Sequence, residues 1–255
     1  MKNNVKRYKR LLNKIWFFIK DNKNAFIASL ATTIAVLFFF IVRGIAPFGE
    51  DSLLTMDLWG QYYPMIVDRL RHPFNTWSWN GSLGYNEMIQ SYYYANSLFN
   101  FLLLPFSGYS KIAALDMMIL FKIALSSFNF AYLIDHRRDI KNILSIPFAV
   151  AYGLSAYTVA FISQPMWLDS MLFLPLIILS LENIVNKKKN PLTFILFLSL
   201  TIYSNFYTAY MVCLFVVLYF ICLLIGRIKK DSLKEIFITT VKFGVSSLIS
   251  GALVA

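Results

Sequence analysis

The sequence predicts an all-α polytopic membrane protein, and three observations carry that expectation. Of 255 residues, 58% are hydrophobic and 15% are charged, whereas a soluble domain carries about 25% charged residues. The mean hydropathy of +0.59 leaves too little polar surface for a water-soluble globule, and the composition excludes a disordered, collagenous or disulfide-rich secreted chain. The third observation is where the net charge of +11 lies. Eight of the 24 Lys and Arg fall in the first 24 residues, and others cluster at Arg137, Arg138 and Lys141, at Lys187 to Lys189, and at Arg227, Lys229, Lys230 and Lys234. These clusters separate apolar runs, as the positive-inside rule describes. The basic charge is a topology signal, and no nucleic-acid partner is expected.

The elements follow in order. Residues 1–24 form a basic cytosolic segment in which Leu11 to Lys20 mixes Lys with aromatic and aliphatic side chains, a pattern for a helix along the inner interface. Ala25 to Val42 is an uncharged run of 18 residues, close to the roughly 20 that cross a ~30 Å hydrocarbon core. Its exit, Arg43-Gly44-Ile45-Ala46-Pro47-Phe48, is not a signal-peptidase site. It reads as a retained first span with a cytosolic N-terminus. Residues 44–111 cannot be one span. They set Glu50, Asp51, Asp57, Asp68 and Glu87 against Arg69, Arg71 and Lys111, a balance that suits a long outer loop. Ala95 to Phe106 is apolar but short, so an interfacial or re-entrant helix is expected there.

Ile112 to Ile134 is the second span, returning to the basic loop at 135–141. Basic clusters flank the region from Asn142 to Leu181, so it crosses an even number of times. Two helices with an outer turn at Ser163-Gln164-Pro165-Met166-Trp167 satisfy that parity. The same argument divides the 37 uncharged residues from Asn190 to Gly226 into two helices meeting near Ser204-Asn205. A last apolar segment begins near Ile236 and still runs at Ala255. The expected architecture is therefore a module of about seven spans over 25–255, the N-terminal part of a longer chain.

Little of the chain carries obvious chemistry. Cys213 and Cys222 lie nine residues apart in one apolar run and suggest neither a disulfide nor a metal pair. There is no Walker A loop, and Gly81-Ser82-Leu83-Gly84 is a turn pattern. The informative residues are acids beside apolar helix, because an acid there is costly unless it meets water, a partner or a metal. Asp57 sits in a polar, aromatic stretch after the first span, where a helix cap or a solvated loop acid is the plain alternative. Asp169 follows the turn at Trp167, where the alternative is a cap on the fourth helix. Asp116 and Lys122 lie six residues apart in the second span, too awkward for direct pairing, and are expected to face a polar cavity or to snorkel. Four of the five Trp (Trp59, Trp77, Trp79, Trp167) lie on the expected outer side. An interfacial aromatic belt and a sugar-stacking platform both account for them.

The run Gly49-Glu50-Asp51-Ser52-Leu53-Leu54-Thr55-Met56-Asp57, continuing to Gln61-Tyr62-Tyr63-Pro64, resembles the first outer loop of the bacterial YfhO membrane proteins. Trp77-Ser78-Trp79-Asn80-Gly81-Ser82-Leu83-Gly84, Gln164-Pro165-Met166-Trp167-Leu168-Asp169 and Ser204-Asn205-Phe206-Tyr207-Thr208-Ala209-Tyr210-Met211 resemble later segments of the family, with Ala209 where Gly is common. The resemblance implies a glycosyltransferase of the GT-C superfamily that moves a sugar from a polyprenyl-phosphate donor to an extracytoplasmic polymer such as lipoteichoic acid. It implies Asp57 as catalytic base and Asp169 as a second acid, orienting Asp57 or sharing Mg²⁺ or Mn²⁺ with it. Gln61, Tyr62, Trp77, Trp79, Trp167, Asn205 and Tyr207 would contact substrate. Arg43, Arg69, Arg71 and His72 would hold the lipid phosphate, Arg being favoured for its bidentate geometry. A flippase of lipid-linked sugars and a non-catalytic envelope assembly protein are the competing readings.

Overall fold

The computed structural model describes residues 13–81, 83–137, 142–186 and 190–254. The basic residues of the first twelve positions, Arg138, Lys141, Lys187 to Lys189 and the Ser82 of the Gly-rich turn lie outside the described residues. The chain is mostly helical. A helix over 13–21 exposes Ile15, Trp16, Phe17 and Phe18, the apolar face an interfacial helix needs. It leads through Asn22 into α1 (Lys23–Arg43). Helix α1 ends at Gly44, whose φ of 63° suits a residue without Cβ, and the amides of Gly44 and Ile45 return to the carbonyls of Ile41 and Phe40.

Between the first two long helices the chain forms a compact polar and aromatic assembly. It comprises a π-helical turn (Leu58–Tyr62), α2 (Tyr63–Arg71), a two-stranded hairpin of β1 (Trp77–Ser78) and β2 (Tyr85–Asn86), α3 (Glu87–Tyr94) and a 3₁₀ helix (Leu98–Leu103). The strands are antiparallel, with Trp77 opposite Asn86 and Ser78 opposite Tyr85. The expected re-entrant or interfacial segment at 95–106 is thus a short 3₁₀ helix.

The 30-residue α4 (Gly108–Arg137) is the hub. It packs against α1, α5 (Ser145–Gly153) and α7 (Leu168–Val185), and Leu115, Ile119 and Ile123 are buried on it. Small residues bring these helices close. Ala25 and Ala28 of α1 meet Ala131 of α4 and Ala149 of α5, and a Cβ on Gly153 would overlap the Ser127 side chain. After α5, the break at Leu154-Ser155 starts the short α6 (Ala156–Ala160). A turn over 161–167 leads to α7, then come α8 (Leu192–Ser204), α9 (Phe206–Ile225) and α10 (Leu233–Ala252).

Among the described residues, four helices are long and apolar enough to cross a bilayer: α1, α4, α7 and α9. Length and apolarity thus bear out four of the expected spans. The broken segment Ser145–Ala160 and the 13-residue α8 are shorter, and α10 carries Lys234, Glu235 and Lys242. Polar contacts mark one end of the bundle. Asn24 Nδ2 donates to Asp135 Oδ2 at 3.0 Å. Arg137 pairs with Glu182 at 2.8 Å and donates to the Tyr219 hydroxyl, which itself donates to Glu182. Arg227, Lys229 and Lys230 follow α9 at this same end. The opposite end gathers the 44–107 assembly, the 161–167 turn and the α8–α9 corner.

Candidate functional site

Asp57 stands at a sharply turned backbone. Met56, immediately before it, has φ 48°, a left-handed conformation that costs a non-glycine residue about 1–3 kcal/mol and persists only where its surroundings enforce it. One enforcing contact comes from beneath, where the Leu53 amide donates to Asp116 Oδ1 of α4 at 3.2 Å. Asp57 then opens the π-helical turn, a local geometry frequent at functional sites. It does not cap the turn through its side chain. The carboxylate is exposed and accepts a long, 3.3 Å hydrogen bond from the Tyr62 hydroxyl. Burial, the Asp57 charge and that hydrogen bond push the Tyr62 phenol up to about 12, so Tyr62 remains a donor at any physiological pH.

Beside this turn opens a cleft of about 700 Å³ between the π-turn with α2, the hairpin and the start of α4. Its walls include the rings of Trp59, Tyr63 and Tyr85, the Gln61 amide, and the cations Arg71 and Lys111. Flat apolar faces next to amides and two positive charges suit a ligand that combines a sugar ring with a phosphate. Asp68 also lines the cleft, but its oxygens are occupied. It accepts from Ser78 Oγ and Asn80 Nδ2, both at 2.7 Å, and from His72 Nδ1 at 3.1 Å. Burial raises its pKa, yet these three hydrogen bonds together outweigh burial and hold the carboxyl below its ordinary value. Glu87, buried nearby, is shifted the other way by burial and by the Asp68 charge.

From Tyr62 a line of rings crosses to the far side of this end. Tyr62 stacks on Tyr94 with centroids 5.4 Å apart, and Gln61 Nε2 donates to the Tyr94 hydroxyl at 3.0 Å. Tyr94 meets Tyr93 at 4.5 Å, Tyr93 meets Tyr207 at 6.1 Å, and Tyr207 meets Trp167 at 5.7 Å. Residues from four separate stretches thus share one aromatic wall.

The chain matches the family described as "Bacterial membrane protein YfhO" over residues 28–255. It belongs to the YfhO family. It is also 28% identical to the "Uncharacterized protein YfhO" of Bacillus subtilis (strain 168), with 78% of this chain aligned. The chain spans about a quarter, 24%, of that relative's length. No solved structure matches the chain.

Within this YfhO-family module the residues expected to act together divide. Gln61 and Arg71 line the cleft, and Tyr62, Tyr207 and Trp167 belong to the aromatic wall. Asp169 is elsewhere: it is fully buried in the first turn of α7, where its Oδ1 lies 2.7 Å from Lys122 Nζ. The same ammonium donates to Ser97 Oγ at 2.9 Å and the Pro165 carbonyl at 2.8 Å, and lies 5.2 Å from the Phe99 ring centre. Asp169 is therefore the counter-ion of a lysine inside the bundle and does not present an open carboxylate. A cation shared by Asp57 and Asp169 does not fit this donor set, and among the described residues no three His, Cys, Asp or Glu side chains group as metal ligands.

Asn205 is likewise structural. It is fully buried, caps α9 through Oδ1 to the Thr208 amide at 2.8 Å, and donates Nδ2 to the Tyr93 carbonyl at 2.7 Å. Trp77 and Trp79 pack edge to face on the hairpin at 5.6 Å, outside the cleft lining. Arg43 ends α1 on the surface, Arg69 donates to the Asn75 carbonyl, and His72 is bound to Asp68, so none of the three lines the cleft. Asp116 and Lys122 face no polar cavity; each is fully buried and serves a different segment, Asp116 the loop before Asp57 and Lys122 the turn before Asp169. Sequence reasoning missed Lys111 as a cleft cation and Tyr93 and Tyr94 as the middle of the wall. A lysine near the head of a span and a Tyr92-Tyr93-Tyr94 run were the available signals.

Proposed function

We propose that this chain is the N-terminal module of a membrane glycosyltransferase of GT-C type. It transfers a sugar from a polyprenyl-phosphate donor to an extracytoplasmic envelope polymer such as lipoteichoic acid. One observation carries the reading: an exposed, donor-stabilised Asp57 two residues before Trp59, the first side chain lining a cleft with stacking rings, Gln61, Arg71 and Lys111. In this scheme the donor's phosphate rests between Arg71 and Lys111 and its sugar lies against the rings. Asp57 accepts the proton of the acceptor hydroxyl as that oxygen bonds to the anomeric carbon. The carbon–phosphate-oxygen bond breaks and its electron pair leaves with the phosphate, which the two cations stabilise. Asp57 is the catalytic residue and Asp116 a positioning residue. The aromatic end faces outward; the segment Ser145–Ala160 and α8 complete two basic-flanked helix pairs, as the positive-inside pattern suggests, and α10 makes the seventh crossing.

The test uses the full-length protein in membranes with a polyprenyl-phosphate sugar, with and without EDTA. Asp57→Asn should lower turnover by about 10²–10⁴-fold, the usual worth of a general base, while donor binding persists. Undiminished transfer by that variant would remove the catalytic assignment and favour a flippase or an assembly role. Loss of transfer in EDTA would show that the reaction needs a divalent cation, for which Asp57 would be the exposed carboxylate beside the cleft.

A further inference from the structure

Several apolar side chains of the 44–107 assembly are left almost fully exposed at the hairpin and the turn before it: Phe74 is 94% exposed, Leu83 90% and Trp79 76%. Such side chains scattered on a loop tip would need no account, but Trp79 and Leu83 sit on an anchored hairpin and Phe74 in the turn that leads into it. Ser78 and Asn80 anchor the hairpin to Asp68 of α2. Because strand neighbours point to opposite faces, the inward turn of Ser78 sends Trp77 and Trp79 outward. Gly84, with φ 89°, lets the backbone lie against the Trp77 indole, where any Cβ would approach Nε1 to 2.7 Å. The apolar tip is therefore presented at a fixed angle.

Its height relative to the bilayer follows from the cleft. Asn80, Gly81 and Tyr85 of the hairpin line it together with Ser107, Gly108 and Lys111, which begin the membrane-spanning α4. The hairpin is thus level with the mouth of a span. The segment leading into that span exposes Phe101, Leu102, Leu104 and Phe106, a second apolar surface at the same level. The flanking charges are positive, with Arg69 and Arg71 before the hairpin and Lys111 across the cleft. Residues 72–86 hold no acid, and the nearest ones, Asp68 and Glu87, are buried. Exposed Trp and Phe flanked by cations at the depth where a span meets water is the arrangement that favours phospholipid headgroups and the first methylenes beneath them.

We infer that the hairpin tip, through Trp79 and Leu83, together with Phe74 of the turn before β1, docks into the headgroup interface of the bilayer that the helices cross. The cleft then opens at the membrane surface instead of above it. This inference rests on the membrane assignment alone and stands or falls independently of sugar transfer.

The test places an environment-sensitive fluorophore on Phe74→Cys or Leu83→Cys in the full chain, with Cys213 and Cys222 replaced by Ser. The protein is held in nanodiscs of phosphatidylethanolamine and phosphatidylglycerol. Both sites are exposed, so the substitutions should leave the fold intact. A probe at Lys230→Cys, on the opposite end beyond α9, is the aqueous reference. The expected result is a blue-shifted emission, stronger quenching by lipids with a nitroxide near the headgroup than by lipids with one deep in the chain, and weaker iodide quenching than at the reference. Iodide quenching equal to the reference would place the tip in water and overturn the inference. Protection from both quenchers would place it under protein, another part of the chain or a partner, and would equally overturn it.

Discussion

At the scale of single residues, the two charges of the central helix decide most of the geometry near Asp57 and Trp167. Lys122 and Asp169 form a pair with no exposure to solvent, and its energetics are asymmetric. Removing one partner of a buried pair strands the other and costs about 3–5 kcal/mol, whereas replacing both with apolar groups of similar volume is near neutral. Lys122→Met and Asp169→Asn should each lower the thermal unfolding midpoint of the detergent-solubilised protein sharply. The combination of Lys122→Met with Asp169→Leu should recover most of that loss. A double variant as unstable as the worse single one would show that the Ser97 and Pro165 contacts, and not charge compensation, dominate. Asp169 looked like a surface acid because it follows an outer turn by two residues. Nothing in the local sequence shows a lysine 47 positions earlier arriving at the same depth on another helix.

At the scale of elements, Asn205 ties the 44–107 assembly to the bundle and Asp68 ties its parts together. The α8–α9 corner is tied to α3 by Asn205, which caps one helix and bonds the backbone of another. Asn205→Ala should cost about 1 kcal/mol for the cap and more for the stranded Tyr93 carbonyl, and hydrogen exchange at the Thr208 amide should rise. The hairpin is tied to α2 by Asp68, and pH gives its signature. Its folded-state carboxyl lies below the ordinary 3.8, so the charged form is favoured by folding. That contribution is fully present above 3.8 and is lost as pH falls through the folded value. Glu87, raised above 4.5, acts oppositely and favours the folded state as pH drops toward 4.5. Tryptophan emission from the hairpin should therefore hold steady through mild acidification and change only below about pH 4; in Asp68→Asn that late transition should vanish. The short hairpin was hard to read in advance because Trp-Ser-Trp-Asn lacks a long alternating pattern, whereas the helices around it announce themselves by apolar length.

At the scale of the whole molecule, distinct polar clusters stand at the two ends of the bundle. Arg137, Glu182 and Tyr219 close one end, while Asp57, the cleft and the aromatic wall occupy the other. If basic loops face the cytosol, as their clustering requires, a membrane-impermeant maleimide added to intact cells should label Ser163→Cys and spare Lys229→Cys in a cysteine-free background. Labelling of Lys229→Cys from outside would invert the orientation and move the proposed site to the cytosolic face. The same probes test the crossing count, because an odd number of crossings must separate 163 from 229. The α7, α8 and α9 sequence supplies that number only if the 13-residue α8 crosses.

The amino-acid sequence by itself determined that this is a helical membrane protein, where α1 and α4 run, and which segment holds the acids and rings. Those properties depend on composition and on patterns a few residues long, which survive without knowledge of neighbours. It also carried the family resemblance that the match over residues 28–255 bears out. Tertiary structure decided which acid is open and which is neutralised, because burial and pairing depend on helices far apart in the chain. Asp57 is left exposed beside a cleft, and Asp169 is committed to Lys122. Only packing also shows that Lys111 joins Arg71 at the cleft and that the tyrosines of α3 bridge Tyr62 to Trp167.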